Sequence, residues 1–155
     1  MAVDGAGNVY LTGSAGPGFV TTPGVYQPRL NSGLSCRYGF PCPNAFAMKL
    51  NPSGAVMWAP YLGGAGPDDA HAIAVDSMGK VWIAGETVSP NFPLTPNAFD
   101  VSFGGETDFG PLRWGDAFVS ELDPTGSKLL YSTYLGGSAP TLLSLSWWTR
   151  RARLM

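Results

Sequence analysis

The single histidine, His71, follows Asp69 by two residues and Asp68 by three. On a β-strand, residues two apart share a face, so Asp69 and His71 have the geometry of an acid–base pair. No nucleophile motif or third partner accompanies them. A structural role is therefore expected, with Asp68 bonding backbone amides of the turn before its strand. Cys36 and Cys42 are the only cysteines, with five residues between them. A disulfide can close that spacing and would stabilise its loop by about 2–3 kcal/mol; a pair of free thiols is the alternative. Zinc is disfavoured, since it needs about four ligands and one histidine with two cysteines does not readily supply them. Asp4 and Asp76 read as turn-capping residues; calcium there is the alternative, but it needs several converging oxygens and each turn offers one carboxylate. The expectation is a chain with no catalytic residue, no metal and no cofactor, hence not an enzyme.

The remaining side chains that could contact a ligand stand in two long, loop-like segments, 14–44 and 87–115. They are Tyr26, Arg29, Arg37, Tyr38, Asn91, Asp108, Arg113 and Trp114. Tyr26 and Phe99 occupy equivalent places in the two segments and are expected to anchor them.

What positions these segments is an internal repeat. Residues 2–13 (AVDGAGNVYLTG) return as 74–85 (AVDSMGKVWIAG), and residues 44–64 return as 116–137 with one insertion. Six of twelve positions are identical in the first pair and nine in the second. A long period with turn residues at fixed offsets marks a repeat architecture, in which each unit buries apolar surface against its neighbours. Four signatures punctuate the chain: DGAG (4–7), NPSG (51–54), DSMG (76–79) and DPTG (123–126). In each, Asp or Asn accepts from the backbone two residues on, and Gly takes the left-handed conformation. Asp4, Gly7, Asn51, Gly54, Asp76, Gly79, Asp123 and Gly126 are thus turn residues of β-hairpins.

The second unit parses into strands at 70–76, 80–86, 116–123 and 128–135. In the first of these, Ile73 and Val75 alternate with Ala72 and Ala74, large against small rather than apolar against polar. That pattern suits a sheet covered on both faces. No stretch before residue 140 shows helical periodicity free of Gly or Pro. The expected fold is all-β: two four-stranded antiparallel blades of an incomplete β-propeller, with little or no helix before residue 140. Blade 1 spans 1–65 with its first strand truncated, and blade 2 spans 66–138. The 139–155 tail falls outside the repeat and is expected to be unstructured or an artefact of a shifted reading frame, with a membrane-surface segment the lesser alternative.

Composition narrows the partners. Gly (21) and Pro (14) make up about 23% of the 155 residues, yet 45% hydrophobic content argues for a packed core. The formal charge is −2, but three of nine basic residues lie in the last six positions, leaving residues 1–149 at −5. An acidic body argues against nucleic acid, and no apolar run reaches the roughly 18 residues of a membrane span. Met1 takes the place that Ile73 holds in the second unit, so the sequence is expected to start inside a blade, without a signal peptide, as a fragment.

IAVDSMGKVWIAGET (73–87), FPLTPNAF (92–99) and AFVSELDPTGSKLLYSTYLGG (117–137) together resemble the SBBP-type bacterial β-propeller repeat. The first unit matches through AVDGAGNVYLTGS, FVTTPGVY and AFAMKLNPSG; NHL-type repeats are similar at the D-x-x-G-N-V-Y element. The resemblance covers about residues 1–138. It implies a non-catalytic repeat segment of a secreted or cell-surface protein, a scaffold for protein or carbohydrate binding. Its partners would be further propeller blades of a longer chain, or copies of itself. The alternative is a fragment of a propeller enzyme, a glycan lyase or hydrolase, whose catalytic residues lie elsewhere.

Overall fold

The computed structural model describes residues 1–31, 33, 36, 39–105 and 115–136. Within them the chain is all-β, with no α-helix. The first sheet holds β1 (Ala2–Val3), β2 (Val9–Ala15), β3 (Asn44–Leu50), β4 (Val56–Trp58) and β5 (Tyr61–Leu62). Both β4 and β5 pair with β3, so they fill one strand position, and every pairing is antiparallel. The second sheet runs in the order β6 (Asp68–Val75), β7 (Val81–Thr87), β8 (Asp116–Leu122), β9 (Leu129–Leu135), again antiparallel. Each strand of the second sheet ends within two residues of its expected boundary.

The two sheets share a register. Val9 faces Leu50 and Ala15 faces Asn44 in the first; Val81 faces Leu122 and Thr87 faces Asp116 in the second, each 72 positions on. The long segments are equivalent too. Tyr61 N donates to Gln27 O (2.9 Å) and Tyr134 N to Asp100 O (3.1 Å). Ala59 N donates to Thr22 Oγ1 (3.1 Å) and Ser132 N to Thr95 Oγ1 (3.0 Å). Beneath them Phe19 packs on Phe46 (4.7 Å between ring centroids), and Phe92 on Phe118 (4.5 Å). Each segment thus lies along the outer strand of its own sheet and occupies amides and carbonyls that an edge strand would otherwise leave bare.

Local chemistry accounts for the hairpins. Asp4, Asn51 and Asp76 each place Oδ1 on the amides two and four residues on, and Asp123 Oδ1 takes those of Ser127 and Lys128. The glycines closing these turns, Gly7, Gly54, Gly79 and Gly126, have φ between 67° and 83°. Their surroundings differ. A methyl group on Gly54 would meet nothing within 4 Å, whereas one on Gly126 would lie 2.8 Å from the Trp58 ring. Gly54→Ala is expected to cost about 1–2 kcal/mol from left-handed strain alone, and Gly126→Ala more, because Trp58 must also move. Urea unfolding of the two variants checks the difference.

The sheets pack on each other with β6 against β2 and β3. Tyr10, Ala45, Trp58 and Leu62 of the first join Ala70, Ile73, Val81, Ile83 and Phe118 of the second in one buried cluster. Only β8 is covered along both faces, six of its seven residues being buried. In β6 the large-against-small alternation does not mean two covered faces: Asp69, His71 and Ala74 are exposed. An irregularity in the β6–β7 pairing between Ala70 and Ala72 leaves His71 without a partner across the strand.

Candidate functional site

The link between the sheets, residues 63–67, passes under both long segments and is held by a buried polar network. Asn44 sits at its centre, fully buried. Its Nδ2 donates to Asp68 Oδ2 (3.1 Å) and Gly64 O (3.0 Å). Its Oδ1 accepts from Gln27 Nε2 (3.1 Å) and from the Asn31 amide (2.8 Å). Gln27 Oε1 in turn accepts from the Gly63 amide at 3.0 Å. On the second sheet's side, Asp68 accepts from Gly64 N (2.8 Å) and from the Thr87 hydroxyl. Ser89 Oγ takes Gly66 N, and Asn91 Oδ1 takes Ala65 N, both at 2.8 Å. Burial pushes the Asp68 carboxyl up to about 6, against the opposing pull of its donors.

Close approach makes two glycines necessary here. A methyl group on Gly63 would lie 2.7 Å from Asn44 Cβ, and one on Gly64 2.5 Å from Ser89 Cβ. The link is therefore pressed against both loops.

Above this network opens a cleft of about 440 Å³ lined by Tyr26, Gln27, Arg29, Leu30, Asn31, Gly63, Asn91 and Pro93. Gln27 is spent inward on Asn44 and Gly63. Arg29, Asn31 and Asn91 are exposed, and Tyr26 is half-buried, its phenol pushed above its ordinary pKa by that burial. The wall thus combines a guanidinium, two amides and an aromatic face. Such groups can hydrogen-bond hydroxyls and carboxylates while an apolar surface stacks alongside.

Three of the eight expected loop residues, Tyr26, Arg29 and Asn91, line this cleft together. Arg37, Tyr38, Asp108, Arg113 and Trp114 lie outside the described residues, as does the 139–155 tail. Cys36 and Cys42 are joined in a disulfide with Cα atoms 4.9 Å apart. Asp69 and His71 are both exposed on β6, and neither side chain joins the network among the described hydrogen bonds. Among the described residues no three His, Cys, Asp or Glu side chains gather as metal ligands, and no helix is long and apolar enough to cross a membrane.

One expectation needs correcting. Tyr26 does anchor its segment, its amide donating to Gly126 O of the second sheet at 2.9 Å. Phe99, its equivalent, is 83% exposed. The difference is one of neighbours: the anchor reaches across to the following sheet, and after β9 the described residues offer no such sheet.

Sequence reasoning also passed over Gln27, Asn31 and Asn44. A signal for Asn44 existed, because the repeat alignment puts Asp116 at its equivalent position. Asp116 is also fully buried; Oδ2 accepts from Gly104 N (2.7 Å), while Oδ1 has no partner among the described residues. Burial pushes its carboxyl above the ordinary range, and the charge of Asp100 adds to this.

Compared with known proteins, the chain matches no family model and no curated protein. The internal repeat stands on the sequence motifs and on the shared register of the two sheets.

Proposed function

We propose that the two sheets are adjoining blades of a β-propeller scaffold, and that the cleft between their loops binds a carbohydrate. The scaffold belongs, on this reading, to a secreted or cell-surface protein of the SBBP-repeat type. The observation that carries the proposal is the cleft itself. Arg29, Asn31 and Asn91 present polar groups beside Tyr26 over a link that a buried hydrogen-bond network holds in place. Binding residues on loops fixed by a rigid frame are the usual arrangement. The four-stranded antiparallel sheets, the shared register and the sheet-on-sheet packing support the blade reading. The Cys36–Cys42 disulfide supports an oxidising location.

A propeller enzyme would require a titrating group facing the cleft. Asp68, the carboxyl held near 6, is 1% exposed and is engaged by Asn44, Gly64 and Thr87. That position makes Asp68 part of the frame under the cleft and not an acid open to it.

A glycan panel titrated against the full chain tests the reading. Arg29→Ala, which removes an exposed side chain, is expected to weaken the best-bound glycan by about tenfold, the loss of one hydrogen bond from a charged donor. Unchanged affinity, or no binding across neutral and uronic-acid-containing glycans, would sink the proposal.

A further inference from the structure

The contact between the two sheets has a knob and a hole, and each has an equivalent elsewhere on the same chain that no described residue fills. The knob belongs to the first unit: the Trp58 ring, 5% exposed, and the Tyr26 backbone. The hole is the 123–126 turn of the second unit. Trp58 Nε1 donates to Pro124 O (3.0 Å), Tyr26 N donates to Gly126 O (2.9 Å), and the Trp58 ring covers Gly126.

The knob's counterpart in the second unit is Tyr131 with Phe99. Phe99 is 83% exposed, and Val101 on the same stretch is 66% exposed, along a β9 whose Leu130 and Leu135 are each 37% exposed. The hole's counterpart in the first unit is the 51–54 turn. It too is an Asx turn closed by a left-handed glycine, Asn51 Oδ1 taking the amides of Ser53 and Ala55 where Asp123 Oδ1 takes those of Ser127 and Lys128. Yet Pro52 and Gly54 are exposed, and no described residue lies within 4 Å of where a Gly54 methyl would stand. Among the described residues, one chain therefore carries an exposed knob on its second sheet and a matching exposed hole on its first.

We propose that the Phe99–Tyr131 face receives the 51–54 turn of a second copy of this chain, head to tail, as a continuation of the internal contact. Phe99 N then donates to Gly54 O, the Tyr131 hydroxyl approaches Pro52 O, and the exposed Phe99 and Val101 side chains are covered. Such an interface is heterologous: the two partners use different surfaces, and the assembly either closes into a ring or grows. Propellers close with four to eight blades, so a chain bringing two blades closes with two to four copies. The inference rests on the reading of the sheets as equivalent blades, but not on what the cleft binds.

Sedimentation velocity on the full chain, from low micromolar to a few hundred micromolar, tests it. The expected result is association from 16.3 kDa to a closed species of two to four copies. Phe99→Asp destroys the knob and Pro52→Asp the hole; each variant alone is expected to sediment as a monomer. An equimolar mixture retains one good knob and one good hole, and is expected to give a species of two chains and no larger. Val20→Asp, another exposed loop position (75%), leaves the wild-type assembly intact. A wild-type monomer at every concentration, association that survives Phe99→Asp, or a mixture that stays monomeric would each overturn the proposal. Glycan binding by a monomer would leave the cleft reading standing, so the two failures are distinguishable. Circular dichroism of each variant shows that loss of association is not loss of fold.

Discussion

Trp58→Ala is expected to lower the unfolding free energy by about 3–5 kcal/mol, the usual cost of emptying a buried tryptophan site. Trp58 is 5% exposed, lies 6.1 Å from the Tyr10 ring and closes over Gly126. Its indole N–H also satisfies Pro124 O. Truncation removes apolar contact from both sheets at once and leaves that carbonyl without its partner. Trp58→Phe keeps most of the ring contact and loses the hydrogen bond, so about 1 kcal/mol is expected. The equivalent Tyr131 is half-exposed, and Tyr131→Ala should cost clearly less than Trp58→Ala. Urea unfolding followed by circular dichroism ranks the three. Hydrogen exchange adds a local readout, since faster exchange within residues 123–126 is expected for Trp58→Ala. Equal losses for Trp58→Ala and Tyr131→Ala would contradict the account of Trp58 as the joint between the sheets.

How far this architecture was legible in the sequence depended on the range of the interactions involved. The four hairpin turns were legible because an Asx residue bonds amides two to four positions away, and the glycine that follows must take positive φ. Strand boundaries followed from the turns. The Tyr26 anchor was legible as a position, but its partner, Gly126, lies a hundred residues on in the other unit. That is why the same reasoning failed at Phe99, whose exposure is decided by which sheet follows and not by its own flanking residues. Tyr26, Arg29 and Asn91 were legible as residues of the two long segments; that they share a cleft depends on the link at Gly63, Gly64 and Ala65 drawing both loops together. In the buried network, the bond from the Gly64 amide to Asp68 was legible as a carboxylate holding the turn before its strand; the Asn44 end was hidden for a different reason. Buried amides and carboxylates carry no periodic signature, and only the Asn44/Asp116 mismatch between the repeats pointed to the position.

That buried carboxyl sets the second large expectation: stability should rise, not fall, as pH drops from 8 to about 5. Asp68 is held at about 6 in the folded chain against an ordinary 3.8. The folded state therefore binds the proton more tightly than the unfolded state across that interval, and protonation favours folding there. The contribution is fully present below the unfolded value near 3.8 and is lost as pH rises through 6. A shift of this size corresponds to about 3 kcal/mol. Asp116, also pushed upward by burial, adds to the same trend. Asp4 and Asp123 work in the opposite direction. Asp4 is held down to about 2, chiefly by the Asn8 side chain, and Asp123 is held below its ordinary range by the Thr125, Ser127 and Lys128 donors, which outweigh its desolvation. Their contributions are present above the ordinary carboxylate value and are lost only at lower pH. The urea midpoint is thus expected to climb from pH 8 to a maximum between about pH 4 and 5 and to decline below it. Asp68→Asn removes the titrating group and should flatten the climb between pH 8 and 5, whatever it does to the absolute midpoint. A wild-type midpoint that falls steadily over that interval would mean that the donors around Asp68 outweigh its burial, and that the joint between the sheets holds a stabilised carboxylate.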